Sequence, residues 1–579
     1  IMTKISQYAL LLSLSYLTSV PVKAEVITTG EKLAEIISNN QTGTTVTAEL
    51  GNDITLPGNL NINGNVNIDG TENKFKINGN NSAGFVVDDS QSLLLKNTTL
   101  NGFGGTGNRS FLVENKKGGS VVLENADING NNITATSSGD GALLLSGNMI
   151  RNYGNLSVNG NVSDNTIGNS STASFNGGLI YNSNAIIENI SGTFERNTLQ
   201  STDRAGSGGW ARGTVLYQGG GASTTVNSIS GAFNQNKAFT YHDSAQGGVM
   251  YINQGEIKDI HADFTDNTAE SHGSYVYAQG GVIYNKKTIG SISGTFKDNK
   301  AVTIENGAKT QGGAIYNNAT IGSIKDSLFS NNYTLGKQSY GGAIYSSSTI
   351  SEIVNTSFLG NHADSNSASD DPRGGAIYSS SNLTIKANDG SVSEFSGNYV
   401  QLSDGSKTSN AIYMASKRGI IGLNATNEGS IVFNDAISGI SGYTISITGD
   451  ETGRVAFNNK IENAASVTSE NVTLALGKTD NASADLTGVS LTVNSGVLDL
   501  QNDAMQTINV GAFSSTADTK LKIDADLASG ESDRIAATSV ATGSKININN
   551  INILNDGRQD IVVFENGNAP DFANLDSFA

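Results

Sequence analysis

Hydrophobic positions in this chain come in short clusters, separated by stretches of Gly, Asn, Ser and Thr, and the clusters recur. The clearest unit is residues 312–334, GGAIYNNATIGSIKDSLFSNNYT, which opens on Gly-Gly-Ala-Ile-Tyr and closes on Phe-x-x-Asn. Tyr181, Tyr217, Tyr251, Tyr284, Tyr316, Tyr345, Tyr378 and Tyr413 mark the first signature, 36, 34, 33, 32, 29, 33 and 35 residues apart. Phe194/Asn197, Phe233/Asn236, Phe264/Asn267, Phe296/Asn299, Phe329/Asn332, Phe358/Asn361 and Phe395/Asn398 mark the second. A fixed period of a few tens of residues signals a solenoid. The half from Tyr to Phe holds near 13 residues in most copies, whereas the half from Asn to the next Tyr varies from 13 to 20. Stacked strands cannot change length without losing register. The unit therefore reads as one coil with a variable loop at one edge.

The apolar clusters are too short for a helical stripe and rich in Ile, Val, Thr, Tyr and Phe, which suit a pleated surface. The pattern predicts an all-β chain, a right-handed parallel β-helix. At about 4.8 Å per coil, residues 50–520 would make roughly 14–19 coils and a rod roughly 65–90 Å long. One helix is predicted over residues 29–39, with Leu33, Ile36 and Ile37 on one face behind a Thr N-cap. It would cover the first coil and block edge pairing. Residues 46–100 read as short strands. Asn at the strand bends is expected to stack into hydrogen-bonded ladders.

Composition adds limits. The chain has 579 residues, 68 Gly, 4 Pro, one Trp, no Cys and a formal charge of −18. A lack of cysteine excludes disulfides and thiolate metal sites. The acidity argues against sequence-independent binding of nucleic acid. Near the front, Lys4 precedes an apolar run at residues 9–20, followed by Val22-Lys23-Ala24. About twelve apolar residues suit a signal peptide, not a span of about twenty. Residues 1–24 are read as that signal, cleaved between Ala24 and Glu25. The mature order is then an N-terminal cap at 25–44, a β-helix at 45–484 and a terminal section at 485–579.

The signal, the strands at 53–70 and the paired repeats together resemble the passenger region of type V autotransporters. The likeness is to chlamydial polymorphic outer-membrane proteins and AIDA-type adhesins. The family's GGAI form stands at Gly312, Gly313, Ala314 and Ile315, at Gly341, Gly342, Ala343 and Ile344, and at Gly374, Gly375, Ala376 and Ile377. Its FxxN partners are Phe329/Asn332, Phe358/Asn361 and Phe395/Asn398, and the repeats cover residues 177–413. Residues 521–554 are similar to the autochaperone segment that precedes the translocator in AIDA-type proteins. The resemblance implies a surface-displayed adhesin that binds a host-cell or matrix receptor. It also implies an outer-membrane barrel, which is absent from these residues and expected past residue 579. The chlamydial proteins carry cysteines; this chain has none.

Candidate chemistry is sparse. β-Helix lyases and glycosidases need converging acids. Asp88 and Asp89 are adjacent on a strand and point to opposite faces, and Asp370-Asp371 precedes Pro372 in a polar turn. Three of the four histidines, His242, His261, His272 and His362, lie in or beside variable loops. No nucleophile motif or metal-ligand spacing appears, so no catalytic, metal or cofactor residue is assigned. The repeat motifs are read as structural, with an adhesive role as the alternative. The lone Trp210, flanked by Arg204 and Arg212, has the composition of a contact loop. The expected function is adhesion; the alternatives are a polysaccharide lyase or hydrolase and a structural stalk.

Overall fold

The computed structural model describes residues 24–106, 111–135, 148–169, 175–201, 209–304, 309–368, 371–478, 482–565 and 569–572. The signal segment up to residue 23, Arg204 and Asp370 lie outside them. Among the described residues there are 64 strands and one helix. Nearly all pairings between strands are parallel, and each strand pairs with its counterpart one coil later, as Tyr284 does with Tyr316 and Phe296 with Phe329. This is a parallel β-helix, with the right-handed connections such units adopt. Twenty strands follow one another up its longest sheet, from Glu25–Ile27 to Phe564–Glu565. At about 4.8 Å each, that stack is about 90 Å long.

The Thr29–Asn39 expectation holds. The helix runs Gly30–Asn39, Thr29 caps it by accepting from the Lys32 amide at 3.2 Å, and Leu33, Ile36 and Ile37 are buried against the first coil.

Four sheets form the faces. The long sheet has 34 strands, the sheet carrying the repeat tyrosines 13, a third sheet 11 and a short sheet 6. In the middle coils the chain crosses the long sheet in ten-residue strands such as Ile321–Ser330. It turns at the Phe-x-x-Asn asparagine, runs through the third and short sheets, and turns again at Gly-Gly into the tyrosine sheet. Ile321, Ile324 and Phe329 point inward and are fully buried. The Phe rings stack coil on coil, with centroids 4.6 Å apart for Phe296–Phe329 and 4.9 Å for Phe329–Phe358.

The asparagine ladder exists and is polarised. Each Oδ1 accepts the backbone N–H and the Nδ2–H of the asparagine one coil earlier, and each Nδ2 also donates to the carbonyl of the Phe one coil earlier, or of Leu100, Ile128 and Val162 in the first rungs. Asn332 receives both bonds from Asn299 at 3.1 and 2.9 Å, and donates to Asn361 at 2.9 Å and to the Phe296 carbonyl at 2.8 Å. The column runs from Asn131 to Asn398 and ends on Asp435, whose Oδ2 accepts both Asn398 donors.

The two glycines of the turn have different reasons. Gly312 has φ +68°, which favours glycine. Gly313 has no room, since a Cβ there would lie 2.0 Å from the Gly342 carbonyl oxygen of the next coil.

Two features were not legible in the repeat. The third and short sheets pack on each other through small buried residues, Ala238 and Ala245, Ala269 and Ala278, Ala301 and Thr310, and so form a thin fin beside the main body. The coil also narrows. Paired residues are 32 apart at Ile257–Ile289 and Ile289–Ile321, but 22 and 24 apart at Ile445–Val467 and Val467–Leu491. The third sheet ends at this change of section in an antiparallel hairpin, Tyr399–Gln401 with Lys407–Ser409.

Candidate binding surface

The fin creates a trough. Along the short sheet, Ala278 and Thr310 face the fin interior, so Gln279 and Gln311 face out. In the tyrosine sheet, Ile315 and Asn317 face in, so Tyr316 faces out. These two outward faces are joined by the tight Gly-Gly turn, and their side chains meet. Gln279 lies beside the Tyr316 hydroxyl and Gln311 beside that of Tyr345. The junction is therefore a concave corner running along the rod.

Two stacks make its floor. The tyrosine rings stack nearly parallel on their neighbours, with centroids 5.2 Å apart for Tyr217–Tyr251, 4.8 Å for Tyr251–Tyr284 and 4.5 Å for Tyr284–Tyr316. They form a cluster separate from the hydrophobic core. Burial raises the phenol pKa values of Tyr217, Tyr284, Tyr316, Tyr345 and Tyr378, to about 12 at the last two. Beside them runs a glutamine ladder: Gln246 donates to Gln279 at 2.8 Å, and Gln279 to Gln311 at 2.7 Å. Arg212 starts it, its Nε donating to Gln246 at 3.0 Å.

Of the predicted contact residues, Trp210 and Arg212 come together here. The Arg212 guanidinium lies 3.6 Å from the Trp210 ring centroid and 5.0 Å from that of Tyr251. The indole N–H is held by Asp243, whose carboxyl is pushed up by burial. Register places Trp210, Ser244, Tyr277, Lys309 and Gln338 in one column along the fin wall. Tyr277 is 39% exposed, and Tyr275 at the fin tip is 85% exposed with a φ of +61°. From the opposite wall, Lys286 reaches over Tyr251 and Tyr284, 5.8 and 5.7 Å from their centroids. Arg373 continues the short-sheet edge beside Tyr340 and lies 5.1 Å from the Tyr413 centroid.

The repeat-motif residues are elsewhere. Ala314, Ile315, Phe329, Asn332, Ala343, Ile344, Phe358, Asn361, Ala376, Ile377 and Phe395 have no exposed surface, and Asn398 has 1%. They hold coils together and touch nothing outside the folded chain.

The other sequence candidates disperse. Asp88 pairs with Lys116 at 2.7 Å. His272 contacts Glu270 at 2.7 Å, and His362 contacts Asp364 at 2.8 Å between the rings of Tyr333 and Tyr399. His261 lines a groove of 480 Å³ on the long sheet with Ser230, Gly231, Asp263 and Gly294. Its Nδ1 is 2.8 Å from Ser293 Oγ. A histidine touching a serine can begin a hydrolytic pair. Here Ser293 is 8% exposed, and the contact repeats the coil-to-coil bonding of Asn159 with Ser191. Among the described residues, no group of three or more His, Cys, Asp or Glu is arranged to hold a metal ion. No family model, curated protein or solved structure matches the chain.

Proposed function

We propose that this chain is the exported, surface-displayed rod of an autotransporter-type protein, an adhesin that binds a host-cell or matrix receptor and does no chemistry. The observation that carries this reading is a division of labour. The Gly-Gly-Ala-Ile and Phe-x-x-Asn residues are used up inside the rod, while the exposed Tyr277 and the half-buried Trp210, Lys286 and Lys309 line one strip beside the stacked tyrosines. A rigid scaffold that varies in its loops is a common basis for recognition. The signal-like residues before Ala24 and the AIDA-like tail support export to the cell surface.

The test uses residues 25–579, fluorescently labelled, on cultured epithelial cells and on surfaces coated with fibronectin or collagen. Saturable binding competed by unlabelled protein is expected, with no turnover of pectin, other polysaccharides or casein. Failure to bind any of these surfaces would overturn the adhesin reading. Depolymerisation of a polysaccharide would put the β-helix lyase or hydrolase in its place.

A further inference from the structure

The protein is acidic overall, with 53 Asp and Glu against 35 Lys and Arg. The trough reverses that balance. Arg212 and Lys309 stand on its fin wall, Lys286 on the opposite wall, and Arg373 at its C-terminal end. The acid beside Arg212, Asp243, also lies against the Trp210 indole. Cations gathered in a concave strip of an acidic rod focus the field on an anionic ligand.

The shape narrows the class. Trp210 and Tyr277 sit two coils apart in one column, about 10 Å along the axis, with the small Ser244 between them. Ring platforms beside hydrogen-bonding amides suit sugars, which have an apolar face and a polar edge. The glutamine ladder is more than nine-tenths buried and fixed by its own bonds, so the floor is built before a ligand arrives. Between Trp210 and Lys309 the fin wall offers no unpaired strand edge for a peptide to extend, because Ala211–Arg212, Ala245–Gln246, Tyr277–Gln279 and Lys309–Gln311 each pair on both sides.

We propose that the trough binds an acidic glycan laid along the rod, with Trp210 and Tyr277 as ring platforms and Arg212, Lys286 and Lys309 as partners for its carboxylates or sulfates. The inference rests on the reading of the chain as a binding rod and names the ligand class of that rod.

The test is calorimetric titration of the chain from residue 25 with three probes at about 0.15 M salt, where weak surface attraction is screened. The probes are a heparin-derived decasaccharide, an oligogalacturonate of ten residues and cellohexaose. Binding of a sulfated or a carboxylated probe is expected, and the two arms distinguish those sources. Cellohexaose should bind at least about tenfold more weakly. Trp210→Ala should weaken binding, but it also frees Asp243 and can disturb folding. Lys286→Glu and Lys309→Glu change partly exposed side chains and decide the matter: each should cost about tenfold or more with an unchanged melting temperature. No binding of either acidic probe, equal binding of cellohexaose, wild-type affinity in both lysine variants, or equally tight binding of single-stranded DNA would each overturn the proposal. Cell adhesion retained by the double variant Lys286→Glu/Lys309→Glu would sink this inference and leave the adhesin reading standing. Acidic-glycan binding without cell adhesion would do the reverse.

Discussion

Replacing Asn332 with Asp is a change of one atom type that the ladder should not tolerate. Asn332 is fully buried and its side chain makes four ladder bonds, two received from Asn299 and two donated, to Asn361 and to the Phe296 carbonyl; its backbone N–H also donates to Asn361. A carboxylate still accepts but cannot donate. Two buried acceptors, Asn361 Oδ1, which keeps the Asn332 backbone N–H, and the Phe296 carbonyl, then face the new carboxylate oxygen. Each costs about 1–3 kcal/mol, so the variant should lose about 2–6 kcal/mol at neutral pH. Burial will push the new carboxyl upward, and its protonated form can donate one of the two bonds. The variant should therefore recover part of its stability as pH falls from 7 to 4, the direction expected of a group protonated more readily in the folded state. Urea denaturation at both pH values gives the magnitude. Hydrogen exchange by mass spectrometry gives the place, because damage in a solenoid stays with neighbouring coils. Here that means residues 296–361. Wild-type stability at pH 7, or loss of protection spread evenly to the N-terminal coils, would refute the ladder argument.

Other expectations are as specific. Phe329→Ala removes a fully buried ring stacked on both sides and should cost about 3–5 kcal/mol by urea denaturation. Gly313→Ala sets a methyl against the Gly342 carbonyl and should cost about 1–3 kcal/mol or more, whereas Gly390→Ala meets no atom within 4 Å and pays only for its φ of +71°. Burial raises Asp435 to about 6 and Asp533 to about 7. An unfolded Asp titrates near 3.9, so their contribution is full below about pH 4 and is lost as pH rises through about 6 to 7. Exchange protection of residues 398–565 should therefore fall between pH 5 and 8. Asp435→Asn with Asp533→Asn should flatten that trend.

The repeat was legible because stacking forces it. A coil that buries Ile and Phe on the coil below must place the same residue at the same step, so Phe296, Phe329 and Phe358 pair directly. The expected coil number also holds, with sixteen strands of the long sheet's first column between residues 50 and 520. The helix cap was legible from Thr29 and the spacing of Leu33, Ile36 and Ile37. The trough was not. It depends on the fin, whose interior is Ala, Ser and Thr, and such residues give no hydrophobic rhythm to read in the variable half of the unit. Trp210 and Arg212 were singled out by composition alone, and their partners Gln246, Lys286 and Tyr277 lie on other coils. One signal was available: Gln246, Gln279 and Gln311 each directly precede a Gly-Gly pair. Asp435 was missed because its coil has Phe433 two residues before it, where the repeat has a spacing of three.

The central claim is that the described strands from Glu25 to Phe572 stack into one continuous coil, and small-angle X-ray scattering of residues 25–579 tests it most directly. Twenty strands at about 4.8 Å predict a maximum dimension of at least about 90 Å and a pair-distance distribution skewed to long distances. A compact globule of the same length has a radius of gyration of about 25 Å and a diameter of about 65 Å. A symmetric distribution ending near about 65 Å would contradict the account.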